Sequence, residues 1–256
     1  MISKHGFVPA HSKAAMQRDE KNLGGKCEKP RLVSKAAILF RRVPVLAALF
    51  GEVVAFQSLS TILNVCFVRQ LKETIPLDTE RASFTGRFYA LINGLSCLMQ
   101  FFVLPAARKF LEPRWVYRLI SIVLIPILGY LTFLSFSFTS AAKRTLMITA
   151  GAFFTLKTMD YSLRNVVNEM VYQPLDFESR YLGKEVIGVF ANRFGKSGIS
   201  LFLSFATATF PVGIPQLSLF SFFAAYAWAS CAWLLSMRLP SNVEAELQVQ
   251  ELMKQD

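Results

Sequence analysis

The sequence predicts an all-α, polytopic membrane protein, and three observations carry that expectation. Of 256 residues, 53% are hydrophobic and only 18% are charged, whereas soluble globular chains carry about 25% charged residues. There are 24 Phe. The apolar residues also come in long blocks, such as ISIVLIPILGYLTFLSFSF at residues 120–138. At about 1.5 Å per residue, a helix of that length crosses a hydrocarbon core of about 30 Å.

Six spans are expected, near residues 44–68, 84–105, 115–138, 145–168, 186–208 and 214–237. They form a transmembrane domain over 43–238, flanked by a basic tail at 1–42 and a short acidic tail at 239–256. The third and sixth spans are the cleanest. The first carries Gln57, Ser60, Thr61 and Asn64 on one face, suited either to substrate contacts or to hydrogen bonding between helices. Glu52 and Arg87 fall near span ends and are expected at the interface. The fourth and fifth spans carry charges, and intramembrane ionisable groups are functional by default.

The net charge of +11 is unevenly placed. With six spans both termini share a side, which holds seventeen Lys and Arg against five on the other. The positive-inside bias then puts both termini on the cytosol-equivalent side. Residues 1–35 are polar and basic and are expected to be disordered. They have no apolar segment of a secretory signal, and Asp19, Glu20 and Glu28 count against a transit peptide. Attraction to anionic lipid accounts for such a tail, and no nucleic-acid partner is expected. The four Cys form no CxxC pair and both His lie in the tail. No metal, cofactor or enzymatic site is expected.

NRFGKSGIS, residues 192–200, ends like a phosphate-binding loop. A Walker A loop needs G-x-x-x-x-G-K-[ST] between a strand and a helix, but the position of the first glycine is Phe190 and no strand pattern precedes it. As a helix, the stretch aligns Asn192, Lys196, Ser200 and Ser204 in one polar stripe beside Arg193. Gly188, Ala191, Gly195 and Gly198 form a second stripe, of small residues suited to close helix packing. Arg193 and Lys196 either snorkel and pair structurally, or hold an anionic substrate in a water-filled cavity. In the fourth span Lys157, Asp160 and Arg164 share a face, and Asp160–Arg164 is an i,i+4 pair of favourable sense that could neutralise itself. Glu169 is placed to pair with Lys196 or Arg193.

The stretch YSLRNVVNEMVYQPLDFESRYLGKEVIGVFANRFGKSGIS, residues 161–200, resembles the ATP/ADP antiporters of plastids and obligate intracellular bacteria. Their pattern is YSLF-x-x-x-KEM-x-Y-x-PL, then GK-x-x-ID-V, then GKSG. Tyr161, Ser162, Leu163, Glu169, Met170, Tyr172, Pro174 and Leu175 match, as do Gly183, Lys184, Ile187, Val189, Gly195, Lys196, Ser197 and Gly198. NVCFVRQLKETIP, residues 64–76, is similar to the family's EVTWK-x-Q-x-K-x-x-x-P segment. The resemblance extends over about residues 36–240 and leaves the tail outside. It implies that the chain is the second six-helix half of a major-facilitator-like bundle. Asn64, Val68, Asp160, Asn168 and Gly188 stand where the family pattern has Glu, Lys, Lys, Lys and Asp, so several charges are lost and one is reversed.

The resemblance implies transport of ATP/ADP or another anionic metabolite by alternating access across a lipid bilayer. Lys196, Arg193, Asn192, Lys157, Arg164 and Asn64 would bind substrate. Glu169 and Asp160 would serve as counter-charges, and Gly188, Gly195 and Gly198 as packing positions. A lone half needs a second six-helix half, a second copy or a larger membrane complex. A transporter-derived accessory subunit is the alternative. The family link points to a plastid envelope or a bacterial inner membrane by analogy.

Overall fold

The computed structural model describes residues 32–107, 112–137, 142–172, 175 and 177–239. The expected tail therefore lies outside the described residues except for its last stretch, where Leu32–Arg42 is a helix, α1. The acidic C-terminal tail lies outside them apart from Leu239. No strand occurs among the described residues.

Helix α2 (Pro44–Thr74) begins on a proline, whose missing N–H costs nothing in the first turn. It stops because Ile75 is extended ahead of Pro76. Helix α3 (Asp78–Leu98) opens with Asp78 and Glu80 against its positive end. It runs on through a π-helical turn, Met99–Val103, into α4 (Leu104–Ala107). Helix α5 is Pro113–Ser137. Helix α6 (Ala142–Met159) passes through a π turn at Asp160–Arg164 into α7 (Asn165–Tyr172). Helix α8 (Phe177–Val186) does the same through Ile187–Ala191 into α9 (Asn192–Thr209). Helix α10 (Ile214–Arg238) starts with Gln216 Oε1 accepting the Gly213 N–H at 2.9 Å.

Six continuous helical rods thus follow the six expected stretches. Three of them, α2, α5 and α10, are long and apolar enough to cross a membrane. The other three are the ones interrupted by π turns.

Helix α2 is the centre. It packs on α10, α9 and α6, while α5 bridges α10 and α6. The core runs along α2 through Leu46, Leu49, Phe56, Leu59, Leu63 and Phe67, each at most 1% exposed. Helix α3 is peripheral and leans on α6. Phe88 ties it in, stacking on Phe67 of α2 at 4.9 Å and on Phe153 of α6 at 6.1 Å. Helix α9 meets α2 along a narrow seam, burying only Gly195, Leu203 and Ala206.

Candidate functional site

The charged residues of the fourth and fifth rods separate into two layers. The first is a buried ion cluster about two turns in from the end where α1 meets α2. Arg164 donates from Nε to Glu52 Oε1 at 3.0 Å and from Nη2 to Glu52 Oε2 at 2.9 Å, a two-pronged grip. Its Nη1 donates to Asp160 Oδ1 at 3.0 Å. Trp228 of α10 donates its indole N–H to Glu52 Oε1 at 2.8 Å. The guanidinium lies 3.9 Å from the ring centroid of Phe56, a cation–π contact that is strongest when desolvated. Glu52 is 0% and Arg164 3% exposed. Each buried charge therefore has partners for its polar atoms, the condition under which a charge can stay in an apolar interior. The cluster joins α2, α6–α7 and α10. Beside it the Tyr117 hydroxyl of α5 donates to Asn168 Oδ1 on α7.

This placement corrects two expectations. Glu52 is not interfacial: it accepts three hydrogen bonds inside the bundle. Arg164 is not open to an anionic substrate, because both its edges are already held by acids. Asp160 does pair with Arg164, but as one arm of the cluster.

The second layer lies nearer the middle of these rods. Lys157 sits midway along the run from Ala142 to Tyr172. It is half-buried, 5.7 Å from the ring centroid of Phe153 and 5.6 Å from that of Tyr161. It is within electrostatic reach of Asp160 and, from the other flank of α2, of Lys196 on α9. Lys196 and Arg193 are exposed and make no ion pair among the described residues. Asn192 accepts from Gln57 Nε2 at 2.9 Å, which links α9 to the polar face of α2. Asn64, two turns further along α2, is half-buried. Charge thus alternates from Glu52 through Arg164 and Asp160 to Lys157, and ends in two cations of the same sign.

Glu169 pairs with Lys184 across the α7–α8 connection rather than with Lys196 or Arg193, because α7 and α8 fold back on each other there. Both side chains are largely exposed, and such a pair contributes at most about 1 kcal/mol. Of the three glycines expected in close packing, Gly195 is pressed on α2. A Cβ there would sit 2.7 Å from Gln57 Cβ and 2.9 Å from the Val54 carbonyl oxygen. A Cβ at Gly188 or Gly198 would meet nothing within 4 Å, since α9 touches α2 along one seam and these two turn away from it.

A cavity of about 440 Å³ lies at the opposite end of α2, lined by Arg69, Thr207, Phe210, Pro211, Val212 and Gly213. It is remote from both layers. Arg69 there already donates to the Val212 carbonyl and to Glu73.

A family profile described as TLC ATP/ADP transporter matches residues 11–238. The ADP,ATP carrier protein 1 of Chlamydia pneumoniae is 30% identical over 198 residues, 72% of this chain and 38% of the carrier. That of Chlamydia muridarum is 29% identical over 194 residues, 70% of this chain and 36% of the carrier. The ADP,ATP carrier protein 3 of Rickettsia bellii is 26% identical over 174 residues, 62% and 34% respectively. The chain therefore spans little more than a third of the curated relatives it matches. No solved structure matches. The profile match starts at residue 11, so it takes in most of the stretch that the motifs left outside the resemblance. By this match, over most of its length, the chain belongs to the TLC ATP/ADP transporter family.

Proposed function

We propose that the chain carries out nucleotide exchange of the ATP/ADP type across a lipid bilayer, as one six-helix half of an alternating-access carrier. All six rods span, both termini face the cytosol-equivalent side, and a second bundle closes the open face of α9. A second copy of this chain is the simplest such partner. Family membership supports the reaction class, and one observation supports the site. Lys157 and Lys196 come within electrostatic reach from two helices, and Arg193 lies one turn from Lys196 without a carboxylate. A cation at mid-depth of a bilayer costs about 2.5–3.5 kcal/mol on insertion scales. Two whose fields overlap are best accommodated with water and a counter-anion, which a nucleotide's phosphates supply.

In this reading Lys196, Lys157 and Arg193 bind phosphate, while Asn192 and Asn64 offer hydrogen bonds. Asp160 restrains Lys157 when the site is empty and releases it to the ligand. Arg164 and Glu52 act through structure, holding Asp160 in place. There is no covalent step. Affinity comes from charge-assisted hydrogen bonds in a medium of low dielectric.

The test is uptake of labelled ATP against internal ADP in proteoliposomes of the purified full chain. Saturable uptake is expected, abolished in Lys196→Ala and at least tenfold weaker in Lys157→Ala, with unchanged thermal unfolding of both variants. Normal uptake in both variants would refute the site. No uptake by the folded wild-type chain would refute self-pairing.

A further inference from the structure

The end of the bundle where α1, α2, α5 and α10 meet gathers five arginines: Arg41, Arg42, Arg114, Arg118 and Arg238. Two of them brace the fold, Arg114 Nε donating to the Leu239 carbonyl at 2.5 Å and Arg238 Nη1 to the Pro44 carbonyl at 3.1 Å. Arg118 is held differently. Its guanidinium carbon lies 4.5 Å from the ring centroid of Trp233 on α10 and 5.3 Å from that of Trp115 on α5. Its Nε donates to Ser236 Oγ at 2.9 Å. It forms no ion pair among the described residues. The fork is thus fixed by its faces and one edge, and its terminal N–H groups meet no acid among the described residues.

Both tryptophans face outward, Trp115 55% and Trp233 48% exposed. Exposed tryptophans mark headgroup depth in a bilayer. Deeper on the same helices, Leu119 and Ile122 of α5 and Tyr226 of α10 are also large exposed hydrophobic side chains. The seam therefore offers a cation at headgroup depth above a greasy wall, on the charge-rich end of the molecule.

We infer that the α5–α10 seam is a binding site for an anionic glycerophospholipid, whose phosphate is gripped by Arg118 between Trp115 and Trp233 and whose acyl chain lies along Leu119 and Ile122. An arginine matches phosphate geometry with two parallel bonds, and stacking holds it in the orientation to do so. The site is separate from the Lys157–Lys196 layer and does not depend on what the protein carries.

The experiment is native mass spectrometry of the full chain in detergent micelles, titrated with phosphatidylglycerol, phosphatidylcholine or inorganic phosphate. Phosphatidylglycerol is expected to bind the wild type with one preferred site, and Arg118→Gln to weaken it about tenfold, the worth of one charge-assisted bond. Arg118→Lys should restore only part of it, because the charge returns without the fork. Arg144→Gln, at the other end, should change nothing. Trp233→Leu should weaken binding while leaving the charge in place, a readout that survives if Arg118→Gln fails to fold. Equal losses in Arg118→Gln and Arg144→Gln would overturn the site as diffuse surface charge. Inorganic phosphate displacing the lipid at equal concentration would overturn the lipid as its occupant.

Discussion

Replacing Glu52 by Leu removes the acceptor of three hydrogen bonds. It leaves Arg164, 3% exposed, with Asp160 as its remaining acid, and strips the Trp228 indole of its partner. Breaking a buried pair from one side costs about 3–5 kcal/mol, because the remaining charge stays buried without compensation. Arg164→Met should cost a similar amount by stranding Glu52. The informative variant carries both changes. It removes both charges and fills their space with apolar groups of comparable volume, which is often close to neutral. Asp160 keeps a partner because Lys157 is within reach. The one group left wanting is the Trp228 N–H, at about 1–3 kcal/mol. The double variant should therefore sit about 1–3 kcal/mol below wild type, far less than the sum of the singles. The assay is unfolding in mixed micelles titrated with denaturing detergent, followed by far-ultraviolet circular dichroism. Single variants costing under about 1 kcal/mol, or a double variant equal to the sum, would refute the account of the cluster as a mutually dependent unit.

Gly195→Val should destabilise by about 1–3 kcal/mol through overpacking, because even a Cβ meets Gln57 and Val54 below 3.0 Å; Gly198→Ala, facing open space, should be neutral or slightly stabilising in the same unfolding assay. Gln57→Ala should cost about 0.6 kcal/mol, the average worth of a hydrogen bond between membrane helices, and a loss above about 2 kcal/mol would contradict a single bond there. In a Cys27→Ser background, a membrane-permeant maleimide should label Cys97 well before Cys66, which is fully buried on α2; equal labelling would mean that α2 is not the central helix.

Periodicity and composition placed all six helical stretches, because an apolar run of about twenty residues is a local signal. The starts of α2 and α10 fall where their spans were expected, at residues 44 and 214, but α2 runs six residues beyond the expected end at 68. The ion cluster was not legible. Glu52 looks interfacial when judged by its distance from the span's start, and its partners lie 112 and 176 residues away. One signal was present: a single carboxylate in the run VLAALFGEVVAF needs a buried partner. The shared face of Lys157, Asp160 and Arg164 was legible: Asp160 pairs with Arg164, and Lys157 is within electrostatic reach of both. The π turn at Asp160–Arg164 that carries two of these residues was not. Nothing in the residue types there announces an extra residue.

A π turn holds one residue more than the α-helical turn it replaces, and it leaves backbone carbonyls to be satisfied from outside. The Tyr161 carbonyl is met by the Gln100 side-chain amide, from a helix with a π turn of its own. Each such turn takes up one extra residue locally, so the faces beyond it keep the register of an unbroken helix. Deleting one residue between Asp160 and Arg164 would restore a regular helix and leave everything after it facing much as it does now, whereas a deletion in the α-helical part of the same run would carry it about 100° around the axis. Asn168 would stay by Tyr117 in the first case and swing away from it in the second, although no side chain had been substituted. The same holds near Met99–Val103 and Ile187–Ala191. These three turns are where a rod can lose one residue and keep its faces, so elsewhere along the rods chain length itself is a heritable constraint on this fold.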